Sequence, residues 1–265
     1  MKHALVRTLA TALTAALFLV AVGVGALAAT VKARGGEWRM PNRQDVRHVV
    51  RVFERAEPRP AKTIYLHRGA LELHGGWDDA KSLTTSLVPD GQSVRMPAYK
   101  ASNKNWNRLM TCVADKFEAY DVAVTDELPT SGDYVLVKVG GKQSHLGIKG
   151  GAIAGIAPYN GEPIESPIVF AFDQKGRYRT KNNCETIAHE VGHVYGLDHT
   201  QECKDLMSYR HGCGKKSFVN KIMTCGEKDE RECSSAPLDA SPHQNSHQHL
   251  LEVLGPRQRD AVPRV

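Results

Sequence analysis

Residues 184–200 read CETIAHEVGHVYGLDHT, and within that run stand His189, Glu190, His193, Gly196 and His199. Their spacing, H-E-x-x-H-x-x-G-x-x-H, narrows what the chain can fold into more than any other feature. Residues four apart lie on one face of an α-helix, about 6 Å along its axis. A helix through this run therefore lets His189 and His193 grip one ion. Glu190 is rotated about 100° from His189, beside such an ion but not a ligand of it. Gly196 turns the chain through a backbone conformation that other residues resist, and that turn brings His199 back to close the set. A bare H-E-x-x-H arises by chance on ordinary helices. Gly196 and His199 in the remaining positions make the pattern specific.

The chemistry follows from the donor types. Three neutral imidazoles leave a zinc ion its double charge and one open tetrahedral position for water. Such a site lowers the pKa of that water to about 7. Glu190 is placed to take the water's proton and deliver it to a leaving amine, while the ion polarises the carbonyl and stabilises its oxyanion. The expectation is a zinc metalloendopeptidase with one catalytic Zn2+, hydrolysing peptide bonds by a zinc-activated water with Glu190 as general base. Two other readings stay open: a catalytically silent, zinc-stabilised secreted binding module, and a zinc amidase acting on cell-wall peptides. Glu190 weighs against the first, because a structural zinc site needs no general base and closes with four protein ligands.

The sequence resembles the metzincin clan of zinc endopeptidases, whose hallmark is this motif followed by a methionine turn. Asp205-Leu206-Met207-Ser208-Tyr209 stands in the place of that turn. The resemblance implies that Met207 forms an apolar floor under the metal without ligating it, a support residue alongside Gly196. It also gives Tyr209 a catalytic role, because astacin- and serralysin-like members carry a tyrosine near the zinc two residues after the methionine. A phenol is a suitable oxyanion donor; a buried structural tyrosine is the other reading. Gly196-Leu197-Asp198-His199 looks matrixin-like, whereas Met207-Ser208-Tyr209 looks serralysin-like, so the subfamily is left unassigned. The calcium-binding repeats that accompany serralysins do not occur in the sequence, and structural Ca2+ is not indicated. The fold implied is α+β and metzincin-like: a mixed twisted sheet and the zinc-binding helix in an upper subdomain, with the Met turn and a C-terminal helix in a smaller lower one. By the same resemblance, a protein or peptide substrate lies along an edge strand near 151–157. The wall of its pocket is then the chain around 208–218, where Arg210, Lys215 and Lys216 would favour acidic side chains.

Periodicity supplies elements of its own. Trp106, Leu109, Met110, Val113 and Phe117 recur at helical spacing within 102–120. Valine-rich runs at 121–125 and 134–139 read as strands, as do 152–157 and 167–172, with Gly and Pro clusters between them. Asn245–Leu254 reads as a capped helix with Leu250, Leu251 and Leu254 on one side, ended by Gly255-Pro256; Ser217–Thr224 is the rival for the last helix. In the polar stretch before and within it, His243, His247 and His249 are expected to be solvated. His67, His74 and His145 have no partner spacing and are given no role.

The chain opens with Lys2, His3 and Arg7, then an apolar run from Leu9 to about Ala29 with Ala26-Leu27-Ala28 as a cleavage site. This predicts a signal peptide over 1–29 and a secreted or periplasmic protein, an uncleaved membrane anchor being the alternative. Residues 30–60 read as a basic arm or short propeptide with a short helix near Asp45–Glu54, 61–255 as the catalytic domain, and 256–265 as a disordered tail. The net charge of +6 is spread along the chain without a nucleic-acid-binding signature. No nucleic-acid partner is expected, no stable membrane association after cleavage, and a monomer. Six cysteines stand at 112, 184, 203, 213, 225 and 233. In an exported chain they predict disulfides, with 15 connectivities open.

Overall fold

A computed structural model describes residues 62–234 and 242–257. The signal peptide expected over 1–29, the arm over 30–60 with its helix, and most of the tail lie outside the described residues.

Among the described residues, eight strands and three α-helices follow in chain order: β1 Thr63–His67, β2 Leu71–Gly75, β3 Thr84–Thr85, β4 Ser93–Met96, α1 Asn103–Lys116, β5 Ala123–Thr125, β6 Val135–Val139, β7 Gly155–Ile156, β8 Ile168–Ala171, α2 Arg179–Val194 and α3 Ser246–Leu254. The architecture is α+β with a mixed sheet. Five strands lie in the order β5-β1-β6-β8-β7. All neighbouring pairs run parallel except β7, which is antiparallel to β8 at the edge. A smaller sheet, β3-β2-β4, is separate from it.

Successive side chains on a strand point to opposite faces, and both faces of the large sheet are covered. Ile64, Leu66, Val135, Val137, Val139, Val169 and Ala171 join one core cluster with Trp106, Leu109, Val113 and Phe117 of the α1 region and Ile187, Ala188, Val191 and Val194 of α2. Tyr65, Leu136, Ile168 and Phe170 face the other way, against Leu73, Val88 and Met96 from the small-sheet region. Burial on both faces explains why β6 reads as a near-continuous apolar run. Its one exception is Lys138, fully buried, whose Nζ donates to the carbonyls of Pro97 and Val139. Burial pushes that amine down to about 8.

The helix expected within 102–120 is α1. Ser102 caps it by accepting from the Asn105 N–H, as N-cap serines do. Cys112 of α1 is joined to Cys184 of α2 across 72 residues of sequence. Closing a loop of that length removes unfolded-chain entropy worth about 4 kcal/mol. The strand expected over 152–157 is shorter than its sequence suggests. Within that stretch the Ile153 N–H donates to Gln143 Oε1 rather than to a strand, while Gln143 Nε2 donates to the carbonyls of Gly150 and Gly151 just before it.

Beyond α2 the chain is held by isolated bridges, among them Thr200 with Cys225 and Met223 with Gln244. Ser217–Thr224 forms no helix; the last helix is α3, capped by Asn245 with Leu250 and Leu254 in the core. Solvation was expected for His247 and His249, and the structure corrects that. His249 Nε2 meets the Tyr195 carbonyl at 2.8 Å and His247 Nδ1 meets the Tyr120 hydroxyl at 2.9 Å. Two positions apart on the helix, the two rings leave it on different sides, and so they tie α3 to the chain after α1 at Tyr120 and to the end of α2 at Tyr195; His243 is exposed.

Candidate metal centre

Helix α2 carries His189 and His193 one turn apart, with Nε2 atoms 3.1 Å from each other. The helix ends at Tyr195, and Gly196 follows with φ of +92°, the left-handed region that glycine enters without steric cost. The chain then doubles back so that His199 Nε2 lies 3.0 Å from His193 Nε2. His189 and His193 are buried and His199 is partly so. All three ligand atoms lie within 4.8 Å of one another.

The outer nitrogens fix which atoms face inward. His189 Nδ1 donates to the Leu206 carbonyl and His193 Nδ1 to the Leu197 carbonyl, each at 2.8 Å. His199 Nδ1 donates to Glu227 Oε1 at 2.6 Å. With the protons so placed, three Nε2 lone pairs converge. They repel one another unless they share a cation. Ligand nitrogens about 2.0–2.1 Å from a tetrahedral zinc stand roughly 3.3 Å apart, close to the spacing here. Burial and the neighbouring rings lower the pKa of His189 well below its ordinary value and that of His193 to about 4, so both stay neutral, as metal ligands must be. Asp198 and Glu227 also lie near His199, but Asp198 is otherwise engaged. Its carboxylate takes the Arg231 guanidinium at 2.5 and 2.8 Å, together with the N–H and hydroxyl of Ser234. Burial opposes the Asp198 charge, yet these donors hold its pKa well below the usual carboxylate range. The three histidines are the donor set that fits an ion.

Glu190 is buried, and burial pushes its carboxyl up to about 8. With His189 and Tyr209 it lines a cavity of about 580 Å³, whose other walls include Ile153, Gly155, Glu185 and Lys216. Tyr209 is about half exposed, its ring centroid 4.4 Å from that of His199 and 5.4 Å from that of His189. Burial, with the Glu190 and Glu227 charges, pushes its phenol up to about 12. Met207 is fully buried against Gly192 of α2, where an added Cβ would come 2.5 Å from its Sδ. That contact places the thioether under the turn of helix between His189 and His193. Of the three cations expected to colour the pocket, only Lys216 lines it, and its Nζ is tied to the Ser208 carbonyl. Arg210 reaches instead to Gln201 Oε1 at 2.7 Å.

Three contributors carried no sequence signal. Tyr159 sets its ring edge-on to His193 at 5.2 Å and its hydroxyl on Ser234. Glu227 holds His199. Gly155 of β7 lets Glu190 approach, since a Cβ there would meet the Phe170 carbonyl oxygen at 2.6 Å and Glu190 Cγ at 2.7 Å. Gly155→Ala must therefore push the edge strand or Glu190 aside. We expect it to cost about 1–3 kcal/mol and to lower the melting temperature by several degrees, with metal content intact because β7 supplies no ligand. An unchanged melting temperature would show that this contact carries no strain.

The walls are covalently closed. Cys203–Cys213 spans the methionine segment and Cys225–Cys233 spans Glu227, so with Cys112–Cys184 all six cysteines are paired. Three disulfides fit an oxidising compartment. Among the described residues, no helix is long and apolar enough to cross a membrane.

No protein-family model matches the chain, and none of the curated proteins matches it.

Proposed function

We propose that the chain is an exported zinc endopeptidase of the metzincin type. The observation that carries this reading is the convergence of three Nε2 donors beside a buried carboxyl, that of Glu190, on the wall of an open cavity. His189, His193 and His199 would hold the ion. A zinc ion there supplies Lewis acidity toward a water and toward the scissile carbonyl.

The chain's own groups do the rest. Glu190 stays protonated at neutrality where burial alone acts; a neighbouring positive charge favours its anion, and it is then the base that takes the water's proton and returns it to the leaving amine. Tyr209 stands over His199 with a hydroxyl that stays protonated across the physiological range, a donor for oxyanion charge as it develops. Strand β7 is the sheet edge beside the cavity. Its main-chain groups offer an extended peptide the pairing that an edge strand gives, and a peptide substrate is the class that such an edge accepts.

The test is cleavage of a reduced, unfolded protein by the purified chain, before chelation, after it, and after zinc is returned. We expect cleavage to be lost on chelation and restored by about one equivalent of zinc. A chain that holds zinc in this site and cuts nothing would point to the silent binding module instead.

A further inference from the structure

Two of the three candidate ligands lean on main-chain carbonyls, those of Leu206 and Leu197. The third does not. His199 Nδ1 meets a carboxylate, and at 2.6 Å this is the shortest of the three contacts. Glu227 comes from a loop 28 residues further along; its side chain is 44% exposed, and nothing about packing requires it to lie there.

The surrounding loop is built around this contact. The Cys225–Cys233 disulfide closes it, and Cys225 and Arg231 exchange both backbone hydrogen bonds across it. Gly226 N–H donates to the His199 carbonyl at 2.9 Å, which registers the loop on the backbone of the same residue whose ring Glu227 holds. Arg231 forks onto Asp198, the neighbour of His199, and also reaches Glu227 Oε1 at 3.4 Å. Arg231 and His199 thus meet the same Glu227 oxygen, Oε1, which keeps that acceptor at Nδ1.

We infer that Glu227 is a positioning residue for His199: it fixes the ring's tautomer and direction and strengthens Nε2 as a donor to a divalent cation. The inference rests on the reading of the three histidines as a metal centre. A carboxylate behind a ligating imidazole raises its basicity and locks its orientation, and losing such a partner typically weakens metal binding 10- to 100-fold. A backbone carbonyl does the second of these and less of the first. The contact also has an energetic logic, because His199 is the least buried of the three rings and has the least packing to hold it.

The experiment is a Co2+ titration of the full chain, read by the visible absorption of the bound ion and by competition with a chelator. Parent, Glu227→Gln and Glu227→Ala are compared, and each metal-free protein is melted as a control. Glutamine keeps the size and an acceptor oxygen but not the charge. We expect Co2+ affinity to fall about 10-fold in Glu227→Gln and up to about 100-fold in Glu227→Ala. The Co2+ band should shift in both, with metal-free melting little changed because the side chain is 44% exposed and its contacts are with His199 and the exposed Arg231. Equal affinities and equal spectra in a parent that does bind Co2+ would overturn the role of Glu227 and leave the metal centre standing. A loss of affinity matched by an equal loss of metal-free stability would also overturn it. Failure of the parent to bind Co2+ would overturn the metal centre, and this inference with it.

Discussion

Glu190→Gln is expected to lower peptide cleavage by about 10³- to 10⁴-fold, the upper part of the range for losing a general acid–base, while zinc affinity stays within a few-fold of the parent. The separation is what the geometry demands. Glu190 is no member of the three-histidine donor set and lies on the cavity wall, so glutamine keeps the shape and removes only the ability to accept and return a proton. The isosteric change also spares Gly155, which already stands in contact with this side chain. Steady-state cleavage and zinc content, measured on the same preparations, decide the matter. A variant that keeps zinc and a tenth of the parental rate would remove Glu190 from the chemistry. A variant that loses zinc would make it a structural support of the centre.

Asp205→Ala is expected to have the largest effect on stability. The Asp205 side chain is fully buried and gathers four donors from separate stretches of chain. Oδ1 accepts from Thr200 Oγ1, the Met207 N–H and Ser246 Oγ, and Oδ2 from the Val219 N–H. One carboxylate thereby ties together the chain after His199, the methionine segment, the 217–224 stretch and the start of α3. Alanine leaves two buried N–H groups and two hydroxyls without that acceptor, a loss on the order of 3–5 kcal/mol and a fall in melting temperature of roughly 10 °C or more. Asn is an incomplete substitute, because its amide nitrogen would face the N–H of Val219 or of Met207.

The loss also depends on pH. Burial pushes the Asp205 carboxyl up to about 6 against the pull of its donors, above the value of about 3.9 expected in the unfolded chain. Between those two values the folded chain holds the proton more tightly than the unfolded chain does, so this group's contribution to stability falls as pH rises from about 4 to 6 and is flat above. The gap between parent and Asp205→Ala should therefore be wider at pH 4 than at pH 7, measured by thermal melts of both proteins. A gap that widens with pH would reverse the assignment.

How far the sequence carries depends on whether a feature is local. His189, His193, Gly196 and His199 follow from helix geometry and one turn, so four positions in eleven residues declared the donor set. The helix at 103–116 was equally plain, since Trp106, Leu109 and Val113 repeat at helical spacing and are the residues buried. Strands β1 to β4 were not legible. They are two to five residues long, and β2 and β4 have only half-patterned burial, so no alternation is long enough to read. The strand at β7 was overdrawn because nothing in the run of residues 150–157 announces that Gln143 will claim its backbone. Cysteine pairing lies beyond spacing alone, and so do Glu227 and Tyr159, which reach the centre only through loops whose paths the folded chain decides.

The way the ligands are oriented also determines how the centre can change by mutation. Every residue type brings a carbonyl, so substitutions at Leu197 or Leu206 leave the acceptors of His193 and His189 in place. The acceptor of His199 belongs to a side chain, and a single codon change can delete, shorten or neutralise it. Two of the three donors are thus insulated from drift at the positions that orient them. Position 227 is thus a place where a point mutation can alter how His199 is held without changing any of the three histidines.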